Sequence, residues 1–252
     1  MNDKFDELTK SMAQSVTRRG ALKRFGVGLA GRALVCLGLA TGVEAQTSVS
    51  CDPVADAVFG NGKGGPQVPA WLDIVTGTIT DADDSILFIM RVSAPIPIIP
   101  SWSLEDNFGQ FWWSWRMVDD AANITFVSNG CLQAKGQKVP ACYCLDLIWN
   151  AQAASFRARM LDDTSCTETS VPSAFSPDRR EVILLVPKAL FTNTVLIPNA
   201  NSFQYLMETF VWKTSSNGNT ALTILDNAPT QTGAGFRLGT WSSSRNTSFD
   251  CP

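Results

Sequence analysis

The chain of 252 residues contains no histidine. That absence removes Ser-His-Asp and Cys-His catalysis, His-ligated zinc or haem, and any imidazole-based pH switch. Charge is scarce as well, at 17% of residues, and residues 46–252 carry no basic patch and no extended run of Lys and Arg. A nucleic-acid partner therefore has no electrostatic footprint to meet. No segment carries a long 3.6-residue apolar period, and no internal repeat is visible. The glycine-rich stretch at 60–65 (GNGKGG) lacks both the Walker frame and the strand-to-helix junction of a dinucleotide loop. Apolar residues are not lacking. At 45% they suffice for a core, and the length bounds one large domain or two small ones.

The first 45 residues read as an address. Arg18 and Arg19 follow Thr17, and Lys23 and Arg24 lie just beyond. An apolar run covers 25–43, and Val43-Glu44-Ala45 ends it with small residues where a signal peptidase cuts. The segment from Thr17 to Lys23 (TRRGALK) resembles the twin-arginine export signal, with Ala21 where Phe is commonest. Arg32 and several glycines break the apolar run, which argues against a retained span. Val35 is too large for lipoprotein cleavage before Cys36. Cleavage is expected after Ala45, leaving 46–252 as a periplasmic or extracellular domain that meets the membrane only during export. The leader holds seven of the 20 basic and four of the 23 acidic residues, which leaves 13 and 19, a net charge near −6.

With Cys36 removed, six cysteines remain: Cys51, Cys131, Cys142, Cys144, Cys166 and Cys251. An even number in an exported chain reads as a disulfide set, of which six thiols allow 15 connectivities. Cys51 and Cys251 stand at the two ends of the mature domain, so a bridge tying the termini is attractive. Cys142 and Cys144 are spaced to share one face of a strand. A Cys-x-Cys metal or redox site is the alternative, without a second pair or a histidine to support it.

Strands are expected at 72–80, 85–93, 110–118, 123–128, 143–149, 155–160, 181–186, 202–213 and 220–225, where β-branched and aromatic residues concentrate. Alternation over 72–80 places Leu72, Ile74, Thr76 and Thr78 on one face and Asp73, Val75, Gly77 and Ile79 on the other. Residues 81–84 (DADD) form a turn, so the first two strands make a hairpin. The segment 94–100 (APIPIIP) cannot lie inside a sheet, and 187–192 hints at a helical turn. About nine short strands at even spacing predict an all-β protein: a one-domain antiparallel β-sandwich, jelly-roll or immunoglobulin-like, linked by disulfides.

Four short motifs in order carry a family resemblance: Cys51 to Asp56 (CDPVAD) followed by Trp71 to Ile74 (WLDI); Ser93 to Pro97 (SAPIP) after a hairpin; an aromatic strand ending in Asp119-Asp120; and Asp226 to Pro229 (DNAP). Over roughly 51–236 the chain resembles exported bacterial domains of the DOMON type, related to family 9 carbohydrate-binding modules. The resemblance implies a jelly-roll-like sandwich that binds a sugar or a haem, often with a structural calcium. Haem-binding members supply a histidine, which this chain lacks.

Three constellations offer chemistry. Asp52, Asp56 and Asp73 flank the glycine-rich loop. If that loop folds back, their oxygens form the nucleus of a calcium site, which takes six to eight oxygen ligands. Asp226 would add to it from the chain's other end. The plain alternative is that these are solvated turn residues, as Asp81, Asp83 and Asp84 are expected to be. Eight tryptophans are the second constellation. Trp113 and Trp115 share a face with Phe111, while Trp112 shares the other with Ser114 and Arg116. An exposed set among Trp112, Trp113 and Trp115 would stack on sugar rings; the alternative is core packing. Third, a carboxylate pair such as Asp119 and Glu208 would serve glycoside hydrolysis without histidine, although no motif sets their separation. The reading is a non-catalytic sandwich that binds a carbohydrate-like or cell-surface ligand, with calcium as its candidate cofactor. A structural or interaction domain without a small ligand is the alternative.

Overall fold

A computed structural model of the chain describes residues 46–58, 67–102, 108–118, 142–162, 165, 167–191, 202–214, 220–228, 239–242 and 247–249. The expected leader, the 60–65 loop, the Asp119-Asp120 turn, the strand at 123–128, and Cys36, Cys131, Cys166 and Cys251 lie outside them. The described residues belong to one unit, Gln46–Pro252.

The chain folds as an all-β sandwich of two packed sheets, antiparallel almost throughout. Its strands are β1 (Thr47–Cys51), β2 (Ile74–Ala82), β3 (Ser85–Val92), β4 (Phe108–Val118), β5 (Cys142–Asn150), β6 (Ser155–Asp162), β7 (Thr167–Ser170), β8 (Ser173–Phe175), β9 (Glu181–Pro187), β10 (Ser202–Thr214), β11 (Thr220–Ala228), β12 (Gly239–Ser242) and β13 (Thr247–Phe249). One sheet has the order β13-β1-β2-β3-β9-β8. The other runs β11-β10-β4-β5-β6-β7, with β12 beside β10. Only β1 and β13 pair in parallel among the described strands. Eight of the expected strands are present, with ends moved by up to three residues. The short strands β1, β7, β8, β12 and β13 escaped the sequence reading because three to five residues show too little alternation. The helical hint at 187–192 is a single 3₁₀ turn, Lys188–Leu190.

Between the sheets, Ile79, Phe88, Met90, Val182 and Leu184 meet Trp113, Trp115, Leu145, Leu147 and Met207, all buried. Aromatic contacts span the layers: Phe88 and Trp115 meet edge to face with ring centres 6.0 Å apart, as do Trp71 and Phe111 at 5.0 Å. Removing one such ring would cost about 3–5 kcal/mol. At Gly77 the two sheets approach closely, since a Cβ there would collide with the Met207 thioether.

The facing predicted for 72–80 fails, for a local reason. Pairing of β2 with β3 slips between Ile74 and Thr76, and this bulge resets the alternation. Ile74 and Ile79, five residues apart, are then both in the core. The expected alternation of β4 holds. Phe111, Trp113 and Trp115 enter the core, while Trp112, Ser114 and Arg116 occupy the opposite face.

That opposite face is buried as well. Trp112, Ile148 and Phe210 form a small apolar cluster with Trp212 and Ile224 packed on it. Beside it runs a polar row. Ser114 Oγ donates to Asp146 (2.6 Å), Arg159 bridges Asp146 and Glu168, and Arg116 pairs with Glu208. The Asp146 and Glu168 carboxylates raise the Arg159 pKa against the opposing effect of burial, which is the larger single influence.

Candidate metal centre

Three stretches distant in sequence converge at one end of the sandwich. β1 ends at Cys51, and the N–H of Asp52 donates to Val75 O (2.9 Å). The chain then curls through Ala55 at φ 67°, a left-handed conformation that is costly for a residue with a Cβ. The Asp73 carboxylate holds this curl, accepting from Ala55 N at 2.9 and 3.1 Å and from Ala57 N at 3.3 Å. Ser93 Oγ also donates to Asp73 at 2.6 Å. From the other sheet comes Asp226 on β11. Thr209 pairs with Asp226 but Phe210 with Ile224, so Leu225 is an extra residue. This bulge accompanies the reach of Asp226 across the layers, where its carboxylate accepts the Ile74 N–H at 2.5 Å. Val58 N donates to Leu225 O, closing the loop on β11.

The result is a cluster of Asp52, Asp56 and Asp226, each offering an oxygen within 4.8 Å of the others. Asp52 and Asp226 are buried and Asp56 is half-buried. Asp56 Oδ1 is shielded from solvent with no hydrogen-bond partner among the described residues. Burial first, and then the neighbouring charges of Asp52, Asp56 and Asp73, push the Asp226 pKa up to about 9, against the opposing pull of the Ile74 N–H. Burial and the Asp73 charge also raise Asp56. The carboxylates thus destabilise one another's ionised forms, and without a counter-ion a proton must take the place of one charge.

Of the acids expected to bind metal, the structure brings Asp52 and Asp56 together with Asp226. Asp73 stands beside them, its oxygens engaged by Ala55, Ala57 and Ser93, and positions the loop. The tryptophans take different places. Trp113 and Trp115 are completely buried, and Trp113 donates its indole N–H to Trp71 O (3.2 Å). Trp112 lies on the opposite face, packed near-parallel to Phe210 and Trp212 with the Arg159 guanidinium 4.9 Å from its ring centre. None of the three presents an open plane to solvent. Glu208 is fully buried and bound to Arg116, so it does not reach solvent as a catalytic acid would. Its proposed partner Asp119 is outside the described residues. Cys51 closes β1, Cys142 opens β5, and Cys144 is buried opposite Arg116.

A feature that sequence reasoning missed is a cavity of about 200 Å³ lined by Tyr143, Met160, Asp162, Ser165, Thr167 and Leu190 among others. Ser165 Oγ lies within hydrogen-bonding distance of Asp162 (2.9 Å) and Thr167 (3.0 Å). The spacing of Asp162, Ser165 and Thr167 gave no warning of it, because the floor comes from β5 and β6 and one wall from the 3₁₀ turn. Compared with protein-family models and with curated proteins, the sequence matches none.

Proposed function

We propose that the chain is an exported, non-catalytic β-sandwich binding domain whose N-terminal loop is fastened to β11 by a calcium ion at Asp52, Asp56 and Asp226. The observation that supports this is the clustering of three carboxylates within 4.8 Å. Carboxylate oxygens are the hard donors that calcium takes among its ligands. Backbone carbonyls and water complete a shell of six to eight. The ion relieves the repulsion that otherwise keeps Asp226 protonated. Its role is structural, because it joins the two sheets where only loops and bulges meet.

Export by the twin-arginine route accords with the leader, and the family resemblance accords with a carbohydrate-like or cell-surface ligand. A sugar ring is better served by the Tyr143–Asp162–Thr167 cavity than by the tryptophans. Met160 and Leu190 offer apolar surface there, and Asp162, Ser165 and Thr167 offer hydrogen bonds. The burial of Trp113 and Trp115 favours a second reading, an interaction domain with no small ligand.

The test is thermal melting of the full chain in millimolar calcium and in chelator at matched ionic strength. Calcium should raise the melting temperature by mass action, and Asp226→Asn should erase the rise. Identical curves for the wild type would remove the ion. Thr167→Ala should weaken capture on immobilised glycans while leaving the calcium response intact.

A further inference from the structure

The cavity beside the 3₁₀ turn Lys188–Leu190 has a definite polarity. Pairing sets Tyr143 opposite Asp162 and Asp162 opposite Thr167, so β5, β6 and β7 bring three lining residues into one row. Leu190 joins them from the turn that follows β9 of the other sheet. Phe191 holds that turn in place, its ring meeting Tyr143 edge to face with centres 5.5 Å apart. Tyr143 and Met160 are buried, Asp162 and Leu190 are half-buried, and Ser165 and Thr167 are exposed. The recess therefore has an apolar floor and a polar rim.

Size limits what can enter. The volume is about 200 Å³, below the range of about 300–1,000 Å³ usual for drug-sized ligands. One sugar ring is the natural fill, and a second would lie outside.

Charge limits it further. Asp162 is the one charged side chain among the described lining residues. The sequence at 161–166 and 189–201, which flanks the lining, contains no Lys or Arg. Lys188 is engaged by Asp81 at 2.6 Å. Arg157 and Arg159 leave the opposite face of β6, where both meet Glu168. An anionic group in the recess would face a carboxylate with no cation to offset it. A hydroxyl would instead donate to that carboxylate in a charge-assisted hydrogen bond. Ser165 already fixes Asp162, its N–H nitrogen 3.3 Å from Oδ1 and its Oγ 2.9 Å from Oδ2, so little ordering is left to binding.

We propose that this cavity takes a single uncharged sugar ring and refuses acidic ones, with Asp162 accepting from ring hydroxyls and setting the selection against anions. The proposal rests on the carbohydrate reading above and adds the class of ring to it.

The experiment titrates the full chain at neutral pH with the methyl glycosides of glucose, galactose and mannose, each beside its uronic acid counterpart. Amide shifts of Ser165 and Thr167 report binding at the rim. In at least one pair the neutral member should shift both amides at a concentration at least tenfold lower than its uronide. Asp162→Asn, which keeps the size of the side chain, should narrow that gap to threefold or less. Lengthening the best ligand to a disaccharide should improve its affinity less than threefold. A uronide that binds as tightly as its neutral partner, or a gap that survives Asp162→Asn, overturns the selection against anions. A tenfold gain from the second ring overturns the single-ring limit. No shift by any of the six glycosides removes the carbohydrate reading itself, and the proposal with it.

Discussion

Ile74 and Asp226 lie 152 residues apart, and the backbone N–H of the first is bonded to the carboxylate of the second at 2.5 Å. The bond joins β2 of one sheet to β11 of the other, and each partner stands at a bulge. A regular β2 would have its N–H groups committed to neighbouring strands, and a regular β11 would hold Asp226 in ordinary alternation. The two irregularities together create the acid cluster.

The cluster predicts an unusual response to pH. The groups facing Asp226 are Asp52, Asp56 and Asp73, and its pKa in the folded chain is near 9 against 3.8 for an ordinary Asp. Between those values the folded state binds the extra proton, so stability falls as pH rises. In chelator the melting temperature should be higher at pH 5.5 than at pH 8.5, by about 3 °C or more. Asp226→Asn should flatten that slope, and calcium should reduce it. A melting temperature that climbs from pH 5.5 to 8.5 in chelator would show Asp226 to be ionised throughout.

Gly77 predicts a packing defect of a defined kind. Gly77→Ala would place a methyl group against the buried Met207 thioether, at a cost of about 1–3 kcal/mol for overpacking. Trimming the obstacle with Met207→Val should recover part of that loss in the double variant. Urea denaturation measures it. Additive losses would mean that Met207 moves aside freely and that the contact constrains nothing.

The all-β class and the long strands were legible because alternation and β-branched composition are local signals. Eight expected strands appear, and the two faces of β4 were assigned correctly from period two alone. The bulge at Ile74–Thr76 was not legible, since a one-residue slip is set by pairing with β3 and not by the sequence of β2. The same limit applies to the site. Asp52 and Asp56 were singled out from their spacing around a loop, but only the topology decides that Asp226 meets them while Asp73 is occupied by Ala55, Ala57 and Ser93. Tryptophan count could not distinguish a sugar platform from a core. Trp113 and Trp115 are buried because β4 turns that face to the other sheet.

The expected bridge between Cys51 and Cys251 is open to direct test. Ser50 is opposite Phe249, Cys51 follows Ser50, and Cys251 comes two residues after Phe249. A disulfide between the two would need their Cα atoms about 4.4–6.8 Å apart. Peptide mapping without reductant should recover 51 and 251 in one linked fragment. Replacing both with Ser should cost about 2–5 kcal/mol, because the bridge closes almost the whole domain into one loop. Recovery of both residues as alkylated thiols, in protein prepared under oxidising conditions, would refute the pairing.

The ion pair of Arg116 and Glu208 offers the sharpest energetic test. Both side chains are buried, Glu208 completely, and Glu208 Oε1 has no hydrogen-bond partner among the described residues. A buried pair contributes little net stability when intact, because desolvation offsets the attraction, but removing one member strands the other's charge. Arg116→Met should therefore destabilise the chain by about 3–5 kcal/mol. Part of that loss comes from the contact between its guanidinium and the Phe210 ring, 6.0 Å away, which is a minor contribution of about 0.5–1 kcal/mol. Combining Arg116→Met with Glu208→Leu removes the stranded carboxylate as well. The double variant should be more stable than Arg116→Met alone by about 1–3 kcal/mol, a coupling of the size expected for residues in direct contact. If the double variant is instead less stable than the wild type by the sum of the two single losses, the pair acts as two independent packing elements and its charges are not desolvated.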